Sequence, residues 1–168
     1  DWTRSVRDHA KKMAELSETG RTQIAFWTAY VEFMKDSRTI CTRKPAPQNW
    51  MYHPLGRTGF SLCSIFSAWD SAANASGGEV RAEFVIDHPD ASVFYERLLA
   101  RRDEIETALG EPLVWYSQEG VNVRRIFYRR GVDIFDQEDW PSQFAWLREK
   151  LEKMYDLLAP IVKDLGER

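Results

Sequence analysis

The sequence predicts a two-layer α+β domain, a largely antiparallel five-stranded sheet covered by helices. Three observations carry that expectation. Apolar residues recur at helical spacing near the start, in the middle and at the end of the chain. Between those stretches lie short segments that alternate apolar and polar residues, or are rich in aromatics and β-branched side chains. Most of these segments are joined by turns too short for a crossover helix, so neighbouring strands must run antiparallel. The predicted order is α-α-β-β-β-α-β-β-α, in one domain over residues 1–168.

Residues 3–17 read as a polar helix that stops at Ser17-Glu18-Thr19-Gly20. A second helix, RTQIAFWTAYVEFMKDS, sets Ile24, Trp27, Tyr30, Val31 and Met34 on one stripe and should pack on a core. Pro45 and Pro47 mark an extended connection. Strands follow at Trp50 to Pro54 and Phe60 to Trp69, separated by the turn in PLGRTGF. In the second strand Leu62, Ser64, Phe66 and Ala68 share one face, and Cys63, Ile65, Ser67 and Trp69 the other. A turn over Asn74 to Gly78 leads to EVRAEFVI, with Val80, Ala82, Phe84 and Ile86 inward and Glu79, Arg81 and Glu83 outward.

Asp87 or Asp90 caps a helix over 91–109, which Gly110 stops. A hairpin around Glu119-Gly120 joins 112–117 to 121–129. The last helix starts at Asp139-Trp140-Pro141 and keeps Phe144, Leu147, Leu151, Met154, Leu158, Ile161 and Leu165 on one stripe, with Pro160 as an expected kink.

The net charge of −3 excludes a uniformly basic surface, but the charge is segregated. No acid occurs from Arg38 to Trp69, where Arg38, Arg43, Lys44 and Arg57 stand. None occurs from Gly120 to Gly131, which holds Arg124, Arg125, Arg129 and Arg130. No apolar run approaches the roughly 20 residues that span a bilayer, so no membrane partner is expected. Cys41 and Cys63 alone make neither a disulfide scaffold nor a metal site, which points to a reducing cytoplasm. A start at Asp1-Trp2-Thr3-Arg4, without Met, suggests the C-terminal part of a longer protein.

PLGRTGF has neither the spacing of a Walker loop nor the helix that a dinucleotide fingerprint precedes, so Gly56 and Gly59 read as turn residues. Arg57 at its tip remains free to meet an anion. Arg124 and Arg125 are adjacent on a strand and must point to opposite faces. Each has a salt bridge as its structural role and phosphate contact as its functional one. Trp50 and Tyr52 accompany the first basic segment and Tyr128 the second, an interleaving that suits stacked bases as well as a core. The expected anion or nucleic-acid contacts are thus Arg57, Arg81, Arg124, Arg125, Arg129, Trp50 and Tyr52. His9, His53 and His88 lack metal-ligand spacing, no catalytic motif emerges, and no cofactor is expected.

Five landmarks then align with one family: FWTAYVEF, NWMYHPLGRTGFSL, EVRAEFVI, FYERLLARRDEIETALGEPLVW and RRIFYRRGVDIFDQEDWPSQFAWLREKLEKMYDLLAPIV. In their order the chain resembles the bacterial and archaeal domain-of-unknown-function family 4268. That resemblance implies a domain that follows a restriction-nuclease-like domain, where any nuclease centre would lie. It carries no catalytic residue over to this chain. Two functions stay open. One is a non-catalytic accessory domain of a defence-type nuclease, binding DNA or RNA or positioning the nuclease domain of the same chain. The other is a protein-interaction or dimerisation module without nucleic acid.

Overall fold

The computed structural model describes residues 1–167, the side chains of residues 12–17 excepted. Its elements are α1 (Trp2–Met34), β1 (Trp50–Pro54), β2 (Phe60–Asp70), β3 (Ala75–Asp87), α2 (Ala91–Leu99), α3 (Arg102–Leu109), β4 (Val114–Ser117), β5 (Val123–Gly131) and α4 (Trp140–Lys163), with one 3-10 turn at Gln137–Asp139 before α4. The strands form one antiparallel sheet in the order β1-β2-β3-β5-β4. This is the predicted α+β architecture. Among the described residues no helix is long and apolar enough to cross a membrane.

Two helix boundaries differ from expectation. The two predicted N-terminal helices are one helix of 33 residues, about 50 Å long. Glycine inside a helix costs only about 1 kcal/mol and need not stop it. Gly20 is buried there, and a Cβ would meet the Pro47 Cβ at 3.1 Å, so the connection back to the sheet crosses at the one residue without a side chain. Residues 1–11 of this helix are exposed, and its stripe reaches the core only from Gly20 onward. Phe26 is buried on it rather than Ile24, which is exposed. The helix expected over 91–109 is instead two, α2 and α3. Arg101 turns its guanidinium onto Glu104 (3.0 and 2.9 Å) at the new N-terminus, where a carboxylate also meets the positive helix end.

The core lies between the helices and one face of the sheet. Phe26, Trp27, Tyr30 and Met34 of α1, Phe94 and Leu98 of α2, Ile105 and Leu109 of α3, and Leu147, Leu151, Met154 and Leu158 of α4 pack on Leu62, Phe66, Val80, Phe84, Ile86, Ile126 and Tyr128. The α4 stripe ends on Val162 rather than Ile161, because a helix of 3.6 residues per turn drifts from a strict repeat.

The β2–β3 turn comes earlier than the Gly-rich segment suggested, over residues 71–74. Asp70 Oδ1 accepts from the amides of Ala72 and Ala73 (3.0 and 3.1 Å), and Asn74 takes φ 51°, so an Asx turn closes the hairpin. Gly78 is left inside β3 at φ +138°, where a Cβ would meet the Val132 carbonyl oxygen at 2.5 Å. Gly78→Ala is expected to cost about 2 kcal/mol in denaturant unfolding. Gly110→Ala, at φ +83° with nothing within 4 Å, should cost only about 1 kcal/mol.

Candidate binding face

Because strand side chains alternate, the apolar residues that meet the helices leave a second set on the other side of the sheet. On β3 these are Glu79, Arg81, Glu83 and Val85; opposite them on β5 stand Gly131, Arg129, Phe127 and Arg125. Trp50 and Tyr52 of β1 align with Ile65 and Cys63 of β2 on this face, and Val114 and Tyr116 of β4 complete its far edge. Cys63, Ile65 and Val85 form a small apolar cluster there, flanked by Tyr52 and Val123. Cys63 and the exposed Cys41 are both free thiols, and burial pushes that of Cys63 up to about 12.

The outward orientation of Glu79, Arg81 and Glu83 is as predicted, but exposure is not its consequence. Glu79 and Glu83 are fully buried under guanidinium groups. Arg125 Nη1 donates to Glu83 Oε1 at 2.5 Å. Arg81 Nε lies 2.8 Å from Glu83 Oε2, off the line of the N–H, a charge contact rather than a straight hydrogen bond. Arg81 also approaches Glu79 at 3.6 Å and lies over the Phe127 ring, 5.1 Å from its centroid. Arg129 donates to Asp70 Oδ1 at 2.6 Å and lies 3.5 Å from Glu79 Oε1. Ser71 binds Glu79 from the turn, through its amide and through its hydroxyl at 2.9 Å. The side chains of Arg81, Arg125 and Arg129 stay 23%, 30% and 24% exposed, so they roof the two buried glutamates, while Asp70, 26% exposed, meets solvent beside Arg129. Three cations thus face three carboxylates, and the cluster is electrically neutral.

Two hollows open on this roof. One, of about 550 Å³, is walled by Val114, Tyr116, Phe127 and Ala72 and edged by all three guanidinium groups. The other, of about 360 Å³, lies between Trp50, Tyr52, Cys63 and Ile65 and shares Arg81 and Arg125 with the first.

Five of the seven sequence-predicted residues therefore share this face: Trp50, Tyr52, Arg81, Arg125 and Arg129. Two do not. Arg57, in the β1–β2 turn, donates to the carbonyls of Val162 (2.9 Å) and Gly166 (2.7 Å), while its Cζ sits 5.0 and 5.1 Å from the Phe60 and Phe94 rings. Arg97 donates to the neighbouring Leu165 carbonyl. The negative charge that Arg57 meets is the C-terminal end of α4 itself. Arg124 points away from Arg125, as adjacency on a strand requires, and donates to the carbonyls of Val121 and Val123 in its own hairpin.

The acids were the missed half of this cluster. Glu79 and Glu83 bracket Arg81 on β3, and the complementary Arg125 and Arg129 lie on β5. That pattern is visible once the two strands are known to be neighbours.

A second polar group lies within the core. Tyr30, His53 and Ser64 are all fully buried. His53 Nδ1–H donates to the Cys41 carbonyl (2.9 Å), so Nε2 is an acceptor and takes the Ser64 hydroxyl proton (2.9 Å). The Tyr30 hydroxyl in turn donates to Ser64 Oγ (2.7 Å). These buried contacts tie α1 to β1 and β2.

Among the described residues no group of three His, Cys, Asp or Glu side chains could hold a metal ion. No curated protein and no solved structure matches the chain. One family model does, over residues 22–162, from the buried half of α1 to the end of α4. The chain belongs to the family described as a domain of unknown function, DUF4268.

Proposed function

We propose that this domain is a non-catalytic docking module whose open sheet face holds a protein partner. In the reading that the family resemblance suggests, that partner is a nuclease-like domain, which the module positions. The observation that carries the proposal is the pair of fully buried carboxylates under a roof of partly exposed guanidinium groups. A face that only had to meet water would expose its acids, since burying ion pairs adds little stability over apolar packing. Arginine and aromatic side chains, the residue types that this face turns toward solvent, are enriched at protein interfaces.

The test is a selection of short random displayed peptides against the domain. Peptides that enrich should lose about tenfold or more in affinity on Tyr116→Asp or Trp50→Asp, both exposed on this face. They should be insensitive to Val93→Asp on α2. Enrichment indifferent to the face variants would overturn the proposal, as would no enrichment.

A second reading, single-stranded DNA or RNA, is favoured by one feature: Trp50 and Tyr52 border a hollow edged by Arg81 and Arg125. Phosphate contact would then have to draw these arginines away from buried acids. It predicts oligothymidylate affinity that falls with salt at a logarithmic slope of about −0.7 per phosphate contacted, together with quenching of Trp50 fluorescence.

A further inference from the structure

We propose that the N-terminal half of α1 is a dimerisation arm, which pairs antiparallel with the same segment of a second copy of this chain. The inference goes beyond the docking reading, because it leaves the open sheet face unused.

The body of the domain holds α1 only from Gly20 onward, while residues 1–11 are exposed, as are Glu18 and Thr19. The arm over residues 2–19 is about 27 Å long. A helix of that length is marginal in water without a packed face. The sequence supplies one. Trp2, Val6, His9, Met13, Leu16 and Gly20 follow each other in alternating steps of four and three, the spacing of a coiled-coil seam. The same repeat runs on through the buried Trp27, Tyr30 and Met34, so the stripe that enters the core also runs along the arm. At Trp2 and Val6 it meets solvent, for these residues are 80% and 47% exposed.

Charge selects the occupant and its direction. Residues 1–12 hold Arg4, Arg7, Lys11 and Lys12 against Asp1 and Asp8, whereas residues 13–19 hold Glu15 and Glu18 and no cation. A parallel copy would set like ends together. An antiparallel copy lays each basic half along an acidic half, and the two helix dipoles also run opposed.

Register follows from the point where the arm joins the body. A Cβ on Gly20 would meet the Pro47 Cβ at 3.1 Å, so the chain crosses the stripe there and closes the seam. The longest overlap that stops at this crossing sets Trp2 against Gly20 and the exposed Pro47 of the second copy, Val6 against its Leu16 and His9 against its Met13. A shift of one heptad further would drive Trp2 past Pro47. A shift the other way would leave Leu16 without a counterpart. In the chosen register Arg4 and Arg7 stand level with Glu18 and Glu15 of the second copy, which favours this orientation more than it adds strength. The contact is two-fold symmetric and closes on itself, so it makes a dimer and no filament.

Sedimentation equilibrium of the chain tests the arm. A monomer–dimer equilibrium is expected with a Kd of about 20 µM, modest because the seam is short. Val6→Asp lies in the seam and away from the core, so it should weaken the dimer about tenfold or more. The thermal midpoint of the domain at about 1 µM, where the monomer prevails, should not move. Direction is read by disulfide exchange after Cys41→Ser has removed the exposed thiol. A mixture of Val6→Cys and Leu16→Cys chains should form the mixed disulfide in about tenfold excess over either homodisulfide, since only facing positions bring Cα atoms within about 7 Å. A chain still monomeric at about 200 µM, ten times that Kd, would overturn the inference. So would a dimer indifferent to Val6→Asp, or an excess of the Val6→Cys homodisulfide. A dimer lost on Tyr116→Asp but kept in Val6→Asp would place the contact on the sheet and overturn it equally.

Discussion

Replacing Phe26 with alanine is expected to cost about 3–5 kcal/mol, the largest loss of any single truncation considered for this domain. The ring is fully buried where α1, α4 and β2 meet. It stacks on Phe66 with centroids 3.8 Å apart and planes 15° from parallel. Trp27 at 5.0 Å, Trp140 at 5.2 Å and Phe144 at 5.0 Å present their edges to it. Edge-to-face pairs add about 0.5–1.5 kcal/mol each beyond area burial, so truncation removes several favourable ring contacts as well as opening a cavity. Neighbours this rigid cannot collapse into the gap. Denaturant unfolding checks the loss, with Ile24→Ala, two residues away on the exposed side of α1, as the near-neutral comparison. A cost for Phe26→Ala below about 1 kcal/mol would mean that α1 is not clamped by this cluster.

Acid should weaken the fold through His53. Burial holds this imidazole down at about 4 from an ordinary 6.5, and the charge of Arg43 adds to the same effect. A proton would go to Nε2, which faces only the Ser64 and Tyr30 hydroxyls. The folded value is the lower one, so between the two values the unfolded chain binds the proton and the native chain does not. Stability is therefore complete above about pH 6.5 and declines as the pH falls toward about 4, by roughly 3 kcal/mol over that window. Unfolding free energies measured across the window test this, alongside His53→Gln. That variant should be less stable at neutral pH, because it disturbs the contact to Cys41, yet its decline toward acid should be shallower. An unchanged slope would assign the acid sensitivity to the carboxylates of the sheet instead.

The sheet was the most legible part of the chain. EVRAEFVI alternates with period two, which fixes both the strand and the face of its residues, and the observed register keeps those faces opposite Phe60 to Ser67; beyond Ser67 the register shifts and Ala68, expected on the core face, is exposed. Helix ends were less legible, because Gly20 looks like a stop and is a crossing point, a property decided by Pro47, 27 residues further along. The binding face was half visible. Arginine clusters stand out in a sequence, while the acids that neutralise them are ordinary on a strand predicted to face water. Only the pairing of β3 with β5 puts Glu83 beside Arg125. Arg57 illustrates the same limit, since its partners are backbone carbonyls and no residue type announces them.

That arginine also orders the assembly of the domain in time. Its seat on Val162 lies 105 residues further along the chain. At a synthesis rate of about 5–20 residues per second, the first hairpin of a nascent chain waits roughly 5–20 s for the anchor of its turn. Until then β1 and β2 can pair, yet the bend between them swings untethered. Locking it must wait for residues 162–166, so ribosome-bound chains halted before residue 162 should leave this bend open to protease, and chains carrying a C-terminal extension long enough to bring residue 166 clear of the ribosome should shield it.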